Sequence, residues 1–216
     1  IRSGEIAGTS LTNIQAQLTD PLTKAMNQKL SRPSTLSAVE LAASLRMQDG
    51  INRASHLHSM TDDESIRLRL INALITANND SGLVYAESLL LTSRSADARR
   101  KAVQAIGRIG TAKATEALTR QLPKLPADVQ PAVVEAMTDR EESALELMAM
   151  VREKTVLQTL INANQAHKML SLKSQPLTDL VTKHWGIVRT ERDPARLQLI
   201  SRMRNELRTS QGDPVA

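Results

Sequence analysis

This sequence predicts an all-α superhelix: a right-handed solenoid of about five to six helical pairs stacked along one axis. Three observations carry that reading. First, one apolar pattern recurs. Adding 32 to Ile66, Leu70, Ala73 and Leu74 lands on Ala98, Ala102, Ala105 and Ile106, and adding 31 more gives Val129, Val133, Ala136 and Met137. A unit of this length is a helical pair too small to bury its own apolar face, so neighbours must stack into a continuous core. Second, Phe is absent and aromatic residues make up 1% of the chain, which leaves Ala, Leu, Ile, Val and Met to build the interior. These residues favour helix and pack between closely spaced helices, which argues against an all-β fold. Third, the breaks between apolar stripes carry Gly, Pro, Asn and Asp, the residues that punctuate helices.

Taken in order, residues 1–33 read as N-terminal helices, with a division before Pro21 where Asp20 can cap a second short helix. Ser31-Arg32-Pro33-Ser34 is a break. Repeats follow over 34–186. Thr35 to Met47 carries Leu36, Val39, Leu41, Ala42 and Leu45 at helical spacing; Asp49-Gly50 ends that helix, and its partner runs to about Met60. The next pair opens on Asp62-Asp63-Glu64, three carboxylates where the positive end of a helix dipole favours them. Asn78-Asn79-Asp80 turns the chain into a helix from Gly82 to Leu91.

The clearest pair is Ala96 to Arg108 followed by Thr111 to Leu122, joined through Gly107 and Gly110, which permit close helix contact and a positive φ. Ala127 to Thr138 and Arg140 to Val151 form the fourth pair, the latter with Ala144, Leu147 and Met148 inward. Helices over Leu157 to Leu170 and Leu177 to Trp185 complete the series. Residues 187–216 then hold a charged connector, an amphipathic helix from Pro194 to Arg208 with Leu197, Ile200, Met203 and Leu207 inward, and a linker at Ser210 to Pro214.

Net charge is +5, and most of it is local. Seven cations and three anions lie between Lys183 and Arg208, so this segment alone carries +4. A solvated helix face, an acidic partner or an anionic surface each fits such a patch. With no cysteine, the chain has no disulfide, no thiolate nucleophile and no cysteine metal site. It contains no apolar run near the roughly 20 residues of a membrane span. The chain begins at Ile1 without a signal-peptide pattern, which reads as a segment of a longer polypeptide.

Ser95 to Leu122 resembles the HEAT repeat: Ala98-Arg99 near the helix start, small residues at Ala102 and Ala105, Ile106-Gly107, then a short turn and the Ala114/Leu118 helix. A narrower resemblance covers His184 to Ala216. Trp185-Gly186, the arginine-rich helix Arg196 to Arg208 and Gly212-Asp213-Pro214 are similar to the stretch that closes the HEAT region in planctomycetal-type multidomain proteins of the membrane-bound dehydrogenase, HEAT and haem-binding (cytochrome c) family. This resemblance implies an exported redox protein, periplasmic or extracellular, with a dehydrogenase-type propeller before the repeats and a haem c module after them. These 216 residues hold no Cys-x-x-Cys-His, so any haem belongs to a neighbouring domain. The segment itself is expected to carry no cofactor.

Candidate chemistry is sparse. His56 and His58 are two apart, which on a helix points them about 200° from one another, away from a one-face ligand pair. His167 and His184 lie on different helices, with no carboxylates at metal-ligand spacing. Asp62, Asp63, Glu64, Glu141 and Glu142 sit at helix starts, where carboxylates cap backbone amides rather than move protons. Trp185 is expected to cover the open end of a core, and Met137, Met148 and Met150 to fill it.

The interaction surface suggested by charge comprises Arg99, Arg100, Arg108, Lys113 and Arg120 in the third pair, and Arg192 and Arg196 in the tail. The expected function is therefore non-enzymatic: a scaffold, spacer or docking module contacting other domains of the same polypeptide or a protein partner. A nucleic-acid-binding solenoid is the alternative, disfavoured because the chain lacks the aromatic platform on which bases stack. A small-molecule ligand is not expected.

Overall fold

The computed structural model describes residues 8–28, 33–186 and 194–209. Among the described residues every regular element is helical: α1 (Thr9–Met26), α2 (Pro33–Ser44), α3 (Gln48–Met60), α4 (Glu64–Thr76), α5 (Ser81–Thr92), α6 (Ala96–Ile109), α7 (Ala112–Gln121), α8 (Gln130–Met137), α9 (Glu141–Arg152), α10 (Ala163–Ser171), α11 (Gln175–Trp185) and α12 (Pro194–Thr209). The chain is all-α and helical-repeat-like. Helices α2/α3, α4/α5, α6/α7, α8/α9 and α10/α11 pack as hairpins, while α2, α4, α6 and α8 touch one another in sequence and α7, α9 and α11 do the same. The first four pairs therefore meet through their first helices, and the last three through their second helices.

The repeated register explains this. Ala43, Leu74, Ile106, Met137 and Met169 follow one another at steps of 31 or 32 residues, and each is 0% exposed. A second register runs through the partner helices: Gly50, Gly82, Ala114, Ala144 and Leu177, all buried. Small residues in these rows let backbones approach. A Cβ on Gly50 would lie 2.5 Å from the Ala42 carbonyl carbon, and one on Gly82 2.8 Å from the Ile75 side chain. Two connected cores result, one spanning α1–α4 and one spanning α4–α11, with Tyr85 packed against both.

Several elements depart from what the sequence predicts. The N-terminal segment is one helix, with Pro21 inside it rather than at a second helix start. Burial of Leu22 and Met26 beyond the proline, and the 2.7 Å bond from Gln15 Nε2 to the Leu45 carbonyl, offset the lost backbone bond. Helix α2 ends at Ser44, before Asp49-Gly50: the turn is made by Arg46 at φ 60°, and Gly50 sits inside α3 because only hydrogen fits against Ala42. Leu41, expected inward, is 43% exposed.

Residues 157–170 divide into a 3-10 turn (Gln158–Leu160) and the shorter α10, opened by a capping box between Asn162 and Gln165. The sharpest departure is α12. Its Ile200 and Met203, expected to face a core, are 44% and 56% exposed. Leu197 and Leu207 have no described side-chain environment, and the linker expected at Ser210 to Pro214 lies outside the described residues.

Candidate functional site

The α6–α7 turn is the most constrained point of the third pair. Gly110 ends α6 at φ 66°, in the left-handed region that glycine enters without steric cost, and Thr111 caps α7 by accepting from the Ala114 amide at 3.4 Å. One repeat later, Arg140 reaches back over this turn. Its guanidinium lies against Gly110 so closely that any Cβ there would overlap it, and Nη1 donates to the Gly107 carbonyl at 3.3 Å. Gly107 in turn abuts Ala136, whose Cβ would be 2.8 Å from a Cβ on residue 107. Helices α6 and α8 meet here almost backbone to backbone.

On one side of Arg140 opens a cleft of about 640 Å³ between α7 and α9. Thr111, Thr115 and Thr119 form one wall, and Glu142, Ser143 and Glu146 the other, with Glu116 at the rim. A shallower hollow of about 710 Å³ lies on the other side, bounded by Gln104, Arg108, Glu135 and Asp139. These linings offer carboxylates, hydroxyls and guanidinium groups, a set that recognises polar or cationic groups through hydrogen bonds and charge. Beside the second hollow, Lys168 bridges Glu135 and Asp139 at 2.5 Å each, while Gln165 donates to Glu135 at 3.2 Å. The Lys168 hydrogen bond holds the Glu135 carboxyl below its usual range. Burial alone would lower the Lys168 ammonium, but its bonds to Asp139 and Glu135 raise it.

The predicted cation surface is spread over the third pair. Arg99 serves its own helix start: Nε donates to the Ser93 carbonyl at 2.7 Å, as Arg67 does to Thr61 at 2.7 Å one repeat earlier and Gln130 to Leu125 at 2.9 Å one repeat later. Arg100 approaches the Asp128 carbonyl at 3.5 Å. Arg108, at the far end of α6 and about 180° around it from Arg99, bonds Asn72 of α4. Arg120 pairs with Glu87 of α5 and, at 3.9 Å, with Glu116. Lys113 is exposed on α7. Arg196 lies on α12, and Arg192 falls outside the described residues.

Asp63 caps α4 as expected, accepting from Ser65 and Ile66 at 2.8 and 3.2 Å. Met137, Met148 and Met150 are core residues, and Trp185 is half-buried against the main core. Among the described residues no three metal-ligating side chains come together. His58 has a role that its spacing from His56 does not disclose. It stacks on Tyr85 with ring centroids 4.0 Å apart and planes 9° from parallel, and its buried Nε2 has no hydrogen-bond partner. Burial, with a smaller contribution from nearby Arg67, lowers its pKa. Steps of 32 take His58 to Leu90 and Leu122, both 0% exposed, so a histidine occupies a leucine position of the repeat.

Sequence reasoning also missed the bonds that join pairs. Glu87–Arg120, Gly107–Arg140, Glu135–Lys168 and Glu141–Ser174 each span 33 residues. A search for complementary polar residues one repeat apart is the signal that finds them. No protein-family model matches this chain, and no curated protein is significantly similar to it.

Proposed function

We propose that residues 34–186 form a HEAT-like right-handed solenoid that serves as a non-catalytic scaffold and docking module. The observation that carries this reading is the set of polar bonds one repeat apart, superimposed on a buried register that steps by 31 or 32 residues. Successive units joined through equivalent positions make a quasi-one-dimensional stack, an architecture that offers extended surfaces for partners. The cations of α6 and α7 support a structural more than a nucleic-acid role, since Arg99, Arg100, Arg108 and Arg120 all reach protein acceptors. The docking face is the α7–α9 cleft, whose Glu116, Glu142 and Glu146 suit a cationic protein segment. The wider setting, a spacer within an exported redox protein whose haem c lies in another domain, rests on the tail resemblance at Trp185-Gly186 and Arg196 to Arg208.

Small-angle X-ray scattering tests the architecture. A compact chain of this length has a radius of gyration of about 17 Å, and the solenoid reading expects a clearly larger value with an elongated distance distribution. A compact profile overturns it. DNA binding measured near physiological salt tests the role: the scaffold reading expects none. Submicromolar binding lost on joint replacement of Arg99, Arg100 and Arg108, with the fold intact, would replace it by the nucleic-acid reading.

A further inference from the structure

Helix α12 continues the repeat register without its packing. The buried row Ala43, Leu74, Ile106, Met137, Met169 reaches Ile200 after a further 31 residues, yet Met169 is 0% exposed and Ile200 44%. Leu199 and Met203 beside it are 54% and 56% exposed. Among the described residues no helix shares a substantial interface with α12. The three side chains fall within an arc of about 100°. Arg202 and Arg204 flank the arc on its two sides, about 60° beyond Leu199 and about 40° beyond Ile200, and the helix as a whole carries four arginines against one glutamate.

Charge decides what can cover this face. A second copy of α12 would bring one net +3 helix against another. The preceding pair in the chain, α10 and α11 with the turn between them, offers Lys173 and Lys183 against Asp179, Lys168 being already paired with Glu135 and Asp139, so it brings no negative surface to the arginines. Nucleic acid satisfies the arginines and leaves the apolar side chains in water. An anionic lipid surface supplies both requirements: an apolar phase for Leu199, Ile200 and Met203, and a negative headgroup layer for arginines whose long stems reach outward from a partly immersed helix.

We propose that α12 is an interfacial anchor that binds anionic lipid surfaces and lies parallel to the membrane plane, holding the helical stack beside it. No spanning segment is involved, and no described helix is long and apolar enough to cross a membrane.

Co-sedimentation of the whole 216-residue chain with vesicles tests this. Vesicles of phosphatidylcholine mixed with phosphatidylglycerol should bind the protein and vesicles of phosphatidylcholine alone should not. Binding should weaken as salt rises, because screening shortens the reach of the arginines. Replacing Ile200→Glu and Met203→Glu together should lower affinity about 100-fold, and Arg202→Gln or Arg204→Gln about five-fold each. These side chains are exposed or outside the packed core, so the thermal melt of each variant should match the parent and separate lost binding from lost fold. Equal binding to both vesicle types, no binding to the anionic vesicles, or binding that ignores the Ile200/Met203 double substitution overturns the proposal. So does capture by polyglutamate without capture by anionic vesicles, which would make the partner an acidic polypeptide.

Discussion

Helices α6 and α12 both place apolar residues at helical spacing, more sharply segregated in α6, and meet opposite fates. In α6, Ala102, Val103, Ala105 and Ile106 are completely buried, while in α12 Leu199, Ile200 and Met203 stand in solvent. The difference lies in the neighbours. Helix α6 touches α4 and α5 before it and α7 and α8 after it, and small residues along its contacts, Ala105 and Gly107 above all, let those helices come close. Helix α12 has the pattern of a repeat helix without such a set of neighbours among the described residues. An amphipathic stripe therefore supplies a capacity for burial, and burial itself requires partners at the matching register.

Substitutions can break that contrast, beginning with the closest backbone approach. Gly50→Ala forces a Cβ to within 2.5 Å of the Ala42 backbone, a collision no rotamer relieves. We expect a loss of about 3 kcal/mol or more in denaturant-measured stability; an unchanged midpoint would show that α2 and α3 are not packed at this register. Next in size is Ala105→Leu, which inserts a large side chain at a position that is 0% exposed. Its expected cost is about 1–3 kcal/mol, read from the same unfolding curve.

His58→Leu works in the other direction. It restores the residue found at Leu90 and Leu122 and removes an unpartnered buried nitrogen. Because burial first, and Arg67 second, depress the folded pKa of His58, the unfolded chain binds a proton more readily than the folded one below the ordinary value of about 6.5. Stability from this group is therefore complete above that pH and declines as pH falls toward the lowered folded value. The variant should melt higher than the parent at pH 5 by a wider margin than at pH 7.5; equal margins would remove His58 from the acid response. The smallest effect belongs to Ile200→Ser. With the side chain already 44% exposed, stability should change by no more than about 0.5 kcal/mol, and a large loss would mean that α12 packs on the body in solution.

How far the candidate site could be read in advance differs from residue to residue. Gly110 was readable as a turn residue because positive φ is a local property, and its φ of 66° follows. Arg140 was not, since its reach across Gly110 depends on where the next pair stacks. Arg99 looked like surface charge available to a partner, yet it ties the α6 start to the Ser93 carbonyl, and only the equivalent bonds of Arg67 and Gln130 reveal a repeated device. Pro21 shows the converse. It marks a break by local rules, and the burial of Leu22 and Met26 carries the helix through it.

The sequence by itself determined the all-α class, the spacing of about one pair per 31 to 33 residues and most of the buried rows, because helical periodicity and repeat length are properties of residue order. Tertiary structure alone decided which half of each amphipathic pattern is used. It placed Leu41 and Ile200 in solvent, held Gly50 within a helix, set His58 against Tyr85 and brought together charges 33 residues apart. These outcomes depend on distances between helices, and such distances are fixed by the sum of many small contacts across the stack rather than by any local run of residues.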